Sequence, residues 1–525
     1  MTSVELPERL NAAAVFVDSH MAEGRADKVA ILCGDRRVTY RDLHEGTNRL
    51  GNALKELGVR IEERVAILLP DTPEWAFAFF GAMKIGAVAI PMNTILLPRD
   101  YRYLLNDSRA CVLVCHASLL HRIRDVQDEL PFLKHILVAG GPAEEGCGSL
   151  SELMAAASPS LDPVDTSKDD AAFWLYSSGT TGFPKGTIHL HHDMMVAAEY
   201  YASQTLELQE TDVSFSMAKL FFAYGLGNGL YFPLWTGGTT VLLPGRPMPD
   251  VIFAAIDRYR PTVYYGVPTS YAALLATAEK TGRTSLGRVR QCVSAGEPLP
   301  APIFEQWRER FGVDILDGIG STEILHIFIS NRPGRAKAGS TGEVVPGYEA
   351  RIVDENREPL PAGEMGTLLI KGDSIASGYW NKHEQTKHTF LGEWIDTHDK
   401  FSMDAEGFFW YAGRADDLFK VSGLYVSPAE VEAILKRHPA VLESGVVGVP
   451  DANRLIKPRA YVVLKDGHKP SDELTAQLQK LVKTSTEPHK YPRTVLFVDS
   501  LPKTATGKIQ RYKLREQAAA EAEAK

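Results

Sequence analysis

The chain has 525 residues, a formal net charge of −9, 44% hydrophobic residues and 23% charged ones. Its length exceeds one ordinary core and suggests about three or four domains or subdomains. The composition is globular, and no basic run marks a nucleic-acid surface. The five cysteines include no C-x-x-C pair, which argues against a disulfide scaffold or a zinc site. The acidic N-terminus lacks the apolar core of a signal peptide, and no run of about 18 apolar residues predicts a spanning helix. A cytoplasmic setting is expected, with neither nucleic acid nor membrane as a partner.

In chain order, residues 64–70 read as a strand ending in a turn, 75–85 as a helix stopped at Gly86, and 87–91 as the next strand. Strand, helix and strand in succession predict a parallel sheet with crossover helices. The rhythm recurs at 239–243, 262–265 and 289–294, which suggests two α/β subdomains over 1–165 and 166–340. From 340 to 412 dense turn residues separate short alternating segments, the pattern of a small antiparallel β unit. Beyond Gly413 to Asp417, helices at 428–438 and 471–486 and strands at 443–449, 459–464 and 494–498 predict a compact α+β domain. The Ala/Glu-rich tail from Glu516 extends a helix.

Residues 176–186 are the most informative segment: Tyr176-Ser177-Ser178-Gly179-Thr180-Thr181-Gly182-Phe183-Pro184-Lys185-Gly186. Glycines let backbone N–H groups approach anionic oxygens, hydroxyls add donors and Lys185 adds a positive charge. The spacing is not that of a Walker A loop, and Gly/Ser/Thr clusters also occur in plain surface loops. Ser294-Ala295-Gly296-Glu297-Pro298 closes an apolar strand, where ligands sit in parallel sheets. Asp317-Gly318-Ile319-Gly320-Ser321-Thr322-Glu323 is a glycine turn ending in a carboxylate, suited to Mg²⁺ beside a triphosphate or, more simply, to a helix N-terminus. Asp396 and Asp399 offer acceptors for ribose hydroxyls, and residues 411–420 crowd charges at a domain boundary. Lys508, in Pro502-Lys503-Thr504-Ala505-Thr506-Gly507-Lys508, stands on a glycine loop that can reach a cleft and neutralise developing charge.

Together and in this order, the segments resemble the adenylate-forming superfamily of acyl-CoA synthetases, luciferases and peptide-synthetase adenylation domains. The resemblance spans about residues 25–515. It implies an N-terminal adenylation domain, 1–415, and a mobile C-terminal domain, 416–525, with the active site between them. It further implies that Ser177, Ser178, Gly179, Thr180, Thr181, Gly182 and Lys185 hold the β/γ-phosphates of ATP. Gly296, Glu297, Pro298, Asp317, Gly318 and Ile319 line the adenine slot, and Asp399 and Arg414 bind the ribose. Thr322 contacts the α-phosphate, Glu323 holds Mg²⁺, and Lys508 bridges carboxylate and α-phosphate oxygens. Asp416 is the hinge, and rotation about it brings Lys420, Ser422 and Gly423 to the site for coenzyme A. Two departures stand out: many relatives carry an aromatic residue at Ile319 and a glycine at His398.

The strings KLFFAYGLGN, DGIGSTEILHIF and LPKTATGKIQR look like the benzoate–CoA ligase branch. That likeness implies an aryl pocket at Ala223, Tyr224, Gly225, His326 and Ile327, with Phe221 and Phe222 either walling a flat ring or packing in the core. The function implied is ATP-dependent activation of an aromatic carboxylate as acyl-AMP, then transfer to coenzyme A. Rival readings are an aryl-acid adenylating enzyme that loads a carrier protein, a medium-chain or alicyclic acyl-CoA synthetase, and a nucleotide-binding regulator without turnover. The resemblance leaves monomer or homodimer open.

Overall fold

The computed structural model describes residues 4–177, 184–415, 417–421, 424–451, 455–503 and 509–523. The chain divides into one compact unit of residues 1–350 and 370–395, and a second of 351–369 and 396–525. It is a mixed α/β protein. Among the described residues no helix is long and apolar enough to cross a membrane, and all five cysteines are free.

The first unit holds two large sheets. One runs, from edge to edge, Gly378–Tyr379, Lys185–Leu190, Ala171–Ser177, Val88–Pro91, Arg64–Leu68, Val112–His116, His135–Ala139 and Gly148–Ser149. Its middle is parallel, and its strands are near-continuous apolar runs because helices cover both faces. The Ala171–Ser177 and Lys185–Leu190 strands form an antiparallel hairpin in which Ser177 faces Lys185. The other sheet runs Glu343–Val344, Ile327–Ser330, Ile315–Gly320, Gln291–Ser294, Val263–Gly266, Val213–Ser216, Thr239–Val241, Val29–Cys33 and Arg36–Thr39.

These sheets do not follow the expected division at 165/166. Val29–Cys33 keeps Arg36–Thr39 as its antiparallel neighbour and pairs in parallel with Thr239–Val241, so the two strands join the second sheet. The 171–190 hairpin stays with the first sheet, since its apolar strand has a buried place beside Val88–Pro91. Nor is 340–412 wholly a unit of its own. Glu343–Val344 completes the second sheet and Gly378–Tyr379 the first, each a two-residue edge taken up by a larger neighbour.

In the second unit, Val441–Pro450 and Ile456–Leu464 pair antiparallel and Thr494–Phe497 adds in parallel. Side chains alternate between faces. Val446, Ala460 and Val462 pack with helices Pro428–Leu435 and Asp472–Ser485, whereas Val447, Val449, Tyr461 and Val463 pack with helix Arg511–Glu523.

Candidate active site

The hairpin end gathers four side chains in the first unit. Ser177 closes one strand and Lys185 opens the next, so their pairing brings both ends of the glycine-rich segment to one spot. Lys185 Nζ lies 4.1 Å from the ring centre of Tyr379, a cation–π arrangement. The Tyr379 hydroxyl donates to Glu323 Oε1 at 2.8 Å, and the Ser177 hydroxyl reaches the same oxygen at 3.5 Å. Ser178, Gly179, Thr180, Thr181 and Gly182, between the strands, lie outside the described residues.

Thr322 and Glu323 occupy a single helical turn, Thr322–Ile324, beyond the end of Ile315–Gly320. Leu325 closes that turn with φ +72°, a backbone that side chains disfavour. Gly296, Glu297 and Pro298 follow Gln291–Ser294 after Ala295, and Ser294 pairs with Asp317. The proposed adenine segments are thus neighbours at the carboxyl ends of adjacent parallel strands, where open α/β sheets take ligands. Asp317 is buried, and burial pushes its carboxyl up to about 8 against the opposing pull of the Ser294 hydroxyl and the Leu299 and Gly318 amides. Gly318 has no room for a side chain: a Cβ would stand 2.9 Å from the Ile329 carbonyl. Ile319 pairs with Ile329.

The residues expected to form an aryl pocket also lie near one another. Tyr224 lies in the helical turn Ala223–Leu226 and donates its hydroxyl to the carbonyls of Gly266 (3.0 Å) and Val293 (3.2 Å), which ties it to two strand ends. Its own carbonyl faces His326 Nε2 at 3.3 Å. His326 is 2% exposed and ringed by Tyr201, Tyr224, Tyr231 and Phe232. Burial lowers it to about 3, so it is neutral at neutral pH. Its Nδ1 is buried and takes no hydrogen bond among the described residues. Gly225 and Gly227 permit the close approach, since a Cβ would lie 2.1 Å from the Lys219 carbonyl and 2.5 Å from His326 Cδ2 respectively. Ile327 opens the buried strand Ile327–Ser330. Phe221 is buried and touches Phe222 at 4.5 Å between ring centres.

In the second unit Asp399 pairs with Arg414 across antiparallel strands. The Arg414 guanidinium donates to Asp399 Oδ1 at 3.3 Å and to the Thr397 carbonyl at 2.9 Å. His398 takes φ +56°, the conformation a glycine adopts freely, and Asp396 steadies it by accepting its N–H at 2.8 Å. Lys420 is exposed in the hairpin of Phe419–Val421 with Leu424–Val426. Asp416, Ser422, Gly423 and Lys508 lie outside the described residues. An antiparallel bridge joins Lys503 and Ile509.

Tyr379 and His189 were not legible as site residues. Tyr379 arrives through a two-residue strand, and only the neighbouring Trp380, packed 4.6 Å from Trp174, hints at an anchored segment. His189 lies in the mixed strand Lys185–Leu190 and meets the carbonyl of Thr322, distant in sequence, at 2.8 Å.

Residues 19–380 match the AMP-binding enzyme family and 430–508 its C-terminal domain. The chain belongs to this family of adenylate-forming, AMP-binding enzymes. Within it, the chain is 48% identical to a benzoate–CoA ligase of Thauera aromatica, over 98% of its own length and 97% of that protein's. It is 44% identical to a 4-hydroxybenzoate–CoA/benzoate–CoA ligase of Rhodopseudomonas palustris, covering 96% and 94%. Among solved structures, an anthranilate–CoA ligase in complex with anthranoyl-AMP superimposes with a TM-score of 0.94, at 43% identity and with 99% and 100% of the two chains covered. These likenesses identify an AMP-forming acid–CoA ligase of the benzoate–CoA ligase type.

Proposed function

We propose that the chain converts a benzoate-type aromatic acid to its CoA thioester, with ATP cleaved to AMP and pyrophosphate. The observation that carries this reading is the short path between two unlike walls. Glu323, bonded to Tyr379 and Ser177, stands three residues before the ring-enclosed His326. A flat acid seated among rings would present its carboxylate to the phosphate side.

In the first step a carboxylate oxygen attacks the α-phosphorus of ATP. An O–P bond forms, the bond to the β-phosphate breaks and pyrophosphate leaves. Positioning and charge stabilisation supply the catalysis. Lys185 and residues 177–182 hold the outer phosphates, Thr322 the α-phosphate, Asp399 and Arg414 the ribose, and Gly296–Pro298 with Asp317–Ile319 the adenine. Lys508 neutralises charge on the reacting oxygens. In the second step the CoA thiol attacks the acyl carbon, the C–S bond forms, AMP departs with its oxygen and the thiol proton passes to solvent. Residues 416–525 act as the mobile domain, turning at Asp416 to exchange Lys508 for Lys420, Ser422 and Gly423.

Glu323 suits Mg²⁺. Among the described residues no three His, Cys, Asp or Glu side chains gather as a metal cage, and Mg²⁺ takes one or two carboxylates with phosphate and water oxygens. When bound, the ion neutralises phosphate charge. Free cysteines and the demand for ATP and CoA support a cytoplasmic setting.

The test is AMP release with CoA against benzoate, its 2- and 4-hydroxy and amino derivatives, cyclohexanecarboxylate and hexanoate. Benzoate-type acids should lead. A preference for hexanoate would overturn the aryl pocket, and turnover that needs an added carrier protein would favour carrier loading. Lys508→Ala should lose about 10²–10³-fold in adenylation.

A further inference from the structure

We propose that His189, held by Asp193, is a positioning residue for adenylation: it fixes the carbonyl of Thr322 and with it the turn that carries Thr322 and Glu323. The inference rests on the functional reading above. His189 is fully buried in strand Lys185–Leu190, with its ring stacked on Phe173 at 5.1 Å between centres and 21° between planes. Nδ1 meets Asp193 Oδ2 at 2.7 Å and Nε2 meets the Thr322 carbonyl at 2.8 Å. Asp193 is itself fixed through Oδ2, which also accepts the Leu190 N–H at 3.1 Å.

Counting protons defines the role. A carbonyl oxygen only accepts, so Nε2 must carry a hydrogen. One further proton lies between Nδ1 and the carboxylate. Whichever of the two holds it, Nε2–H remains a donor to Thr322. The histidine is therefore a donor at Nε2 in either case, with its ring oriented by the carboxylate.

The turn needs such fixing. It ends in the disfavoured backbone of Leu325, and its three successive carbonyls are each held from outside. His189 Nε2 donates to Thr322, the Ala376 amide to Glu323 at 2.8 Å, and the Ser374 hydroxyl to Ile324 at 2.8 Å. Of these three donors only His189 comes from the strand that begins at Lys185. It thus sets the distance between the lysine side of the site and the glutamate side. A small misplacement of reacting groups costs about 10²-fold in rate.

The experiment separates the half-reactions in the full-length chain. Carboxylate-dependent exchange of labelled pyrophosphate into ATP reports adenylation, and synthetic benzoyl-AMP with CoA reports thioester formation. His189→Leu should lower the exchange turnover about 10²-fold with KM for the acid nearly unchanged, while thioester formation falls less than about 3-fold. His189→Gln, whose amide N–H can reach the carbonyl, should recover about 10-fold of the loss. A general structural defect would lower both half-reactions together, and that outcome overturns the proposal, as does full exchange in His189→Leu. If His189→Leu does not fold, His189→Asn replaces it, with an amide too short to reach Thr322 and the same expected split. A wild-type chain that exchanges with no acid defeats the functional reading instead.

Discussion

His189 and His326 are both buried in the first unit on either side of one turn, yet they are opposite chemical objects. His189 has a partner at each nitrogen, one of them a carboxylate, and serves as a fixed donor. His326 sits among four aromatic rings, is lowered to about 3 by burial, and keeps one nitrogen without a hydrogen bond among the described residues. The lesson is that surroundings, not residue type, assign the role. Around Thr322 hydrogen bonds pin the backbone. Around His326 rings exclude water and leave Nδ1 without a hydrogen bond among the described residues.

The largest expected effect tests the polar wall. Glu323→Gln should reduce adenylation by about 10²–10³-fold. The amide oxygen still accepts from Tyr379, so the fold should persist, checked by an unchanged unfolding midpoint. The ratio of rates for benzoate and 4-hydroxybenzoate should not move, because the two walls act separately. A changed ratio would break the comparison.

The second effect is an acid limb in stability. His326 in the folded chain protonates only near 3, whereas an unfolded histidine does so near 6.5. Above 6.5 neither state binds the proton, and no linkage arises. As pH falls from 6.5 toward 3 the unfolded chain gains a proton that the folded chain refuses, so stability is lost. His20 and His191, each lowered to about 4 by burial, act with the same sign. Asp317 acts oppositely, because its folded carboxyl holds a proton up to about 8 and its contribution is lost as pH rises from 4 to 8. His326→Phe should therefore flatten the fall of Tm between pH 6.5 and 4, and Asp317→Asn should flatten the opposing trend between 4 and 8.

A smaller effect probes how tightly the ring-lined side is packed. Gly227→Ala places a Cβ 2.5 Å from His326 Cδ2 and 2.7 Å from Nε2. Overpacking of this kind typically costs about 1–3 kcal/mol, to be read as a lower urea midpoint with the same slope.

The candidate segments could be picked out from residues alone, for a physical reason. Strand ends followed by glycine turns are local patterns, so 296–298 and 317–323 stood out as candidates, and parallel pairing of Ser294 with Asp317 makes them neighbours. Partner choice between distant strands is not local. Nothing in residues 29–33 names 239–241 as their neighbour, and this is why the division at 165/166 failed. Tyr379 and His189 were hidden for the same reason, since both gain their roles only when a two-residue strand and a distant turn meet Lys185–Leu190. His398 was visible as a departure, and its cause emerged only from a backbone at φ +56° that Asp396 holds.

The smallest effect addresses the unmet nitrogen itself. His326→Phe keeps an aromatic ring in the space and removes the acceptor. Benzoate offers no ring donor, so its kcat/KM should stay within about 2-fold, whereas a hydroxy- or aminobenzoate that donates to Nδ1 should lose about 2–10-fold, the worth of one neutral hydrogen bond. Nε2 cannot take over this role, because it already faces the Tyr224 carbonyl and must carry the hydrogen. Equal losses for all three acids would mean that the imidazole only fills volume, and the contrast with His189 would then reduce to packing. A loss confined to one ring position would instead show which substituent points at His326, which neither composition nor fold class can decide.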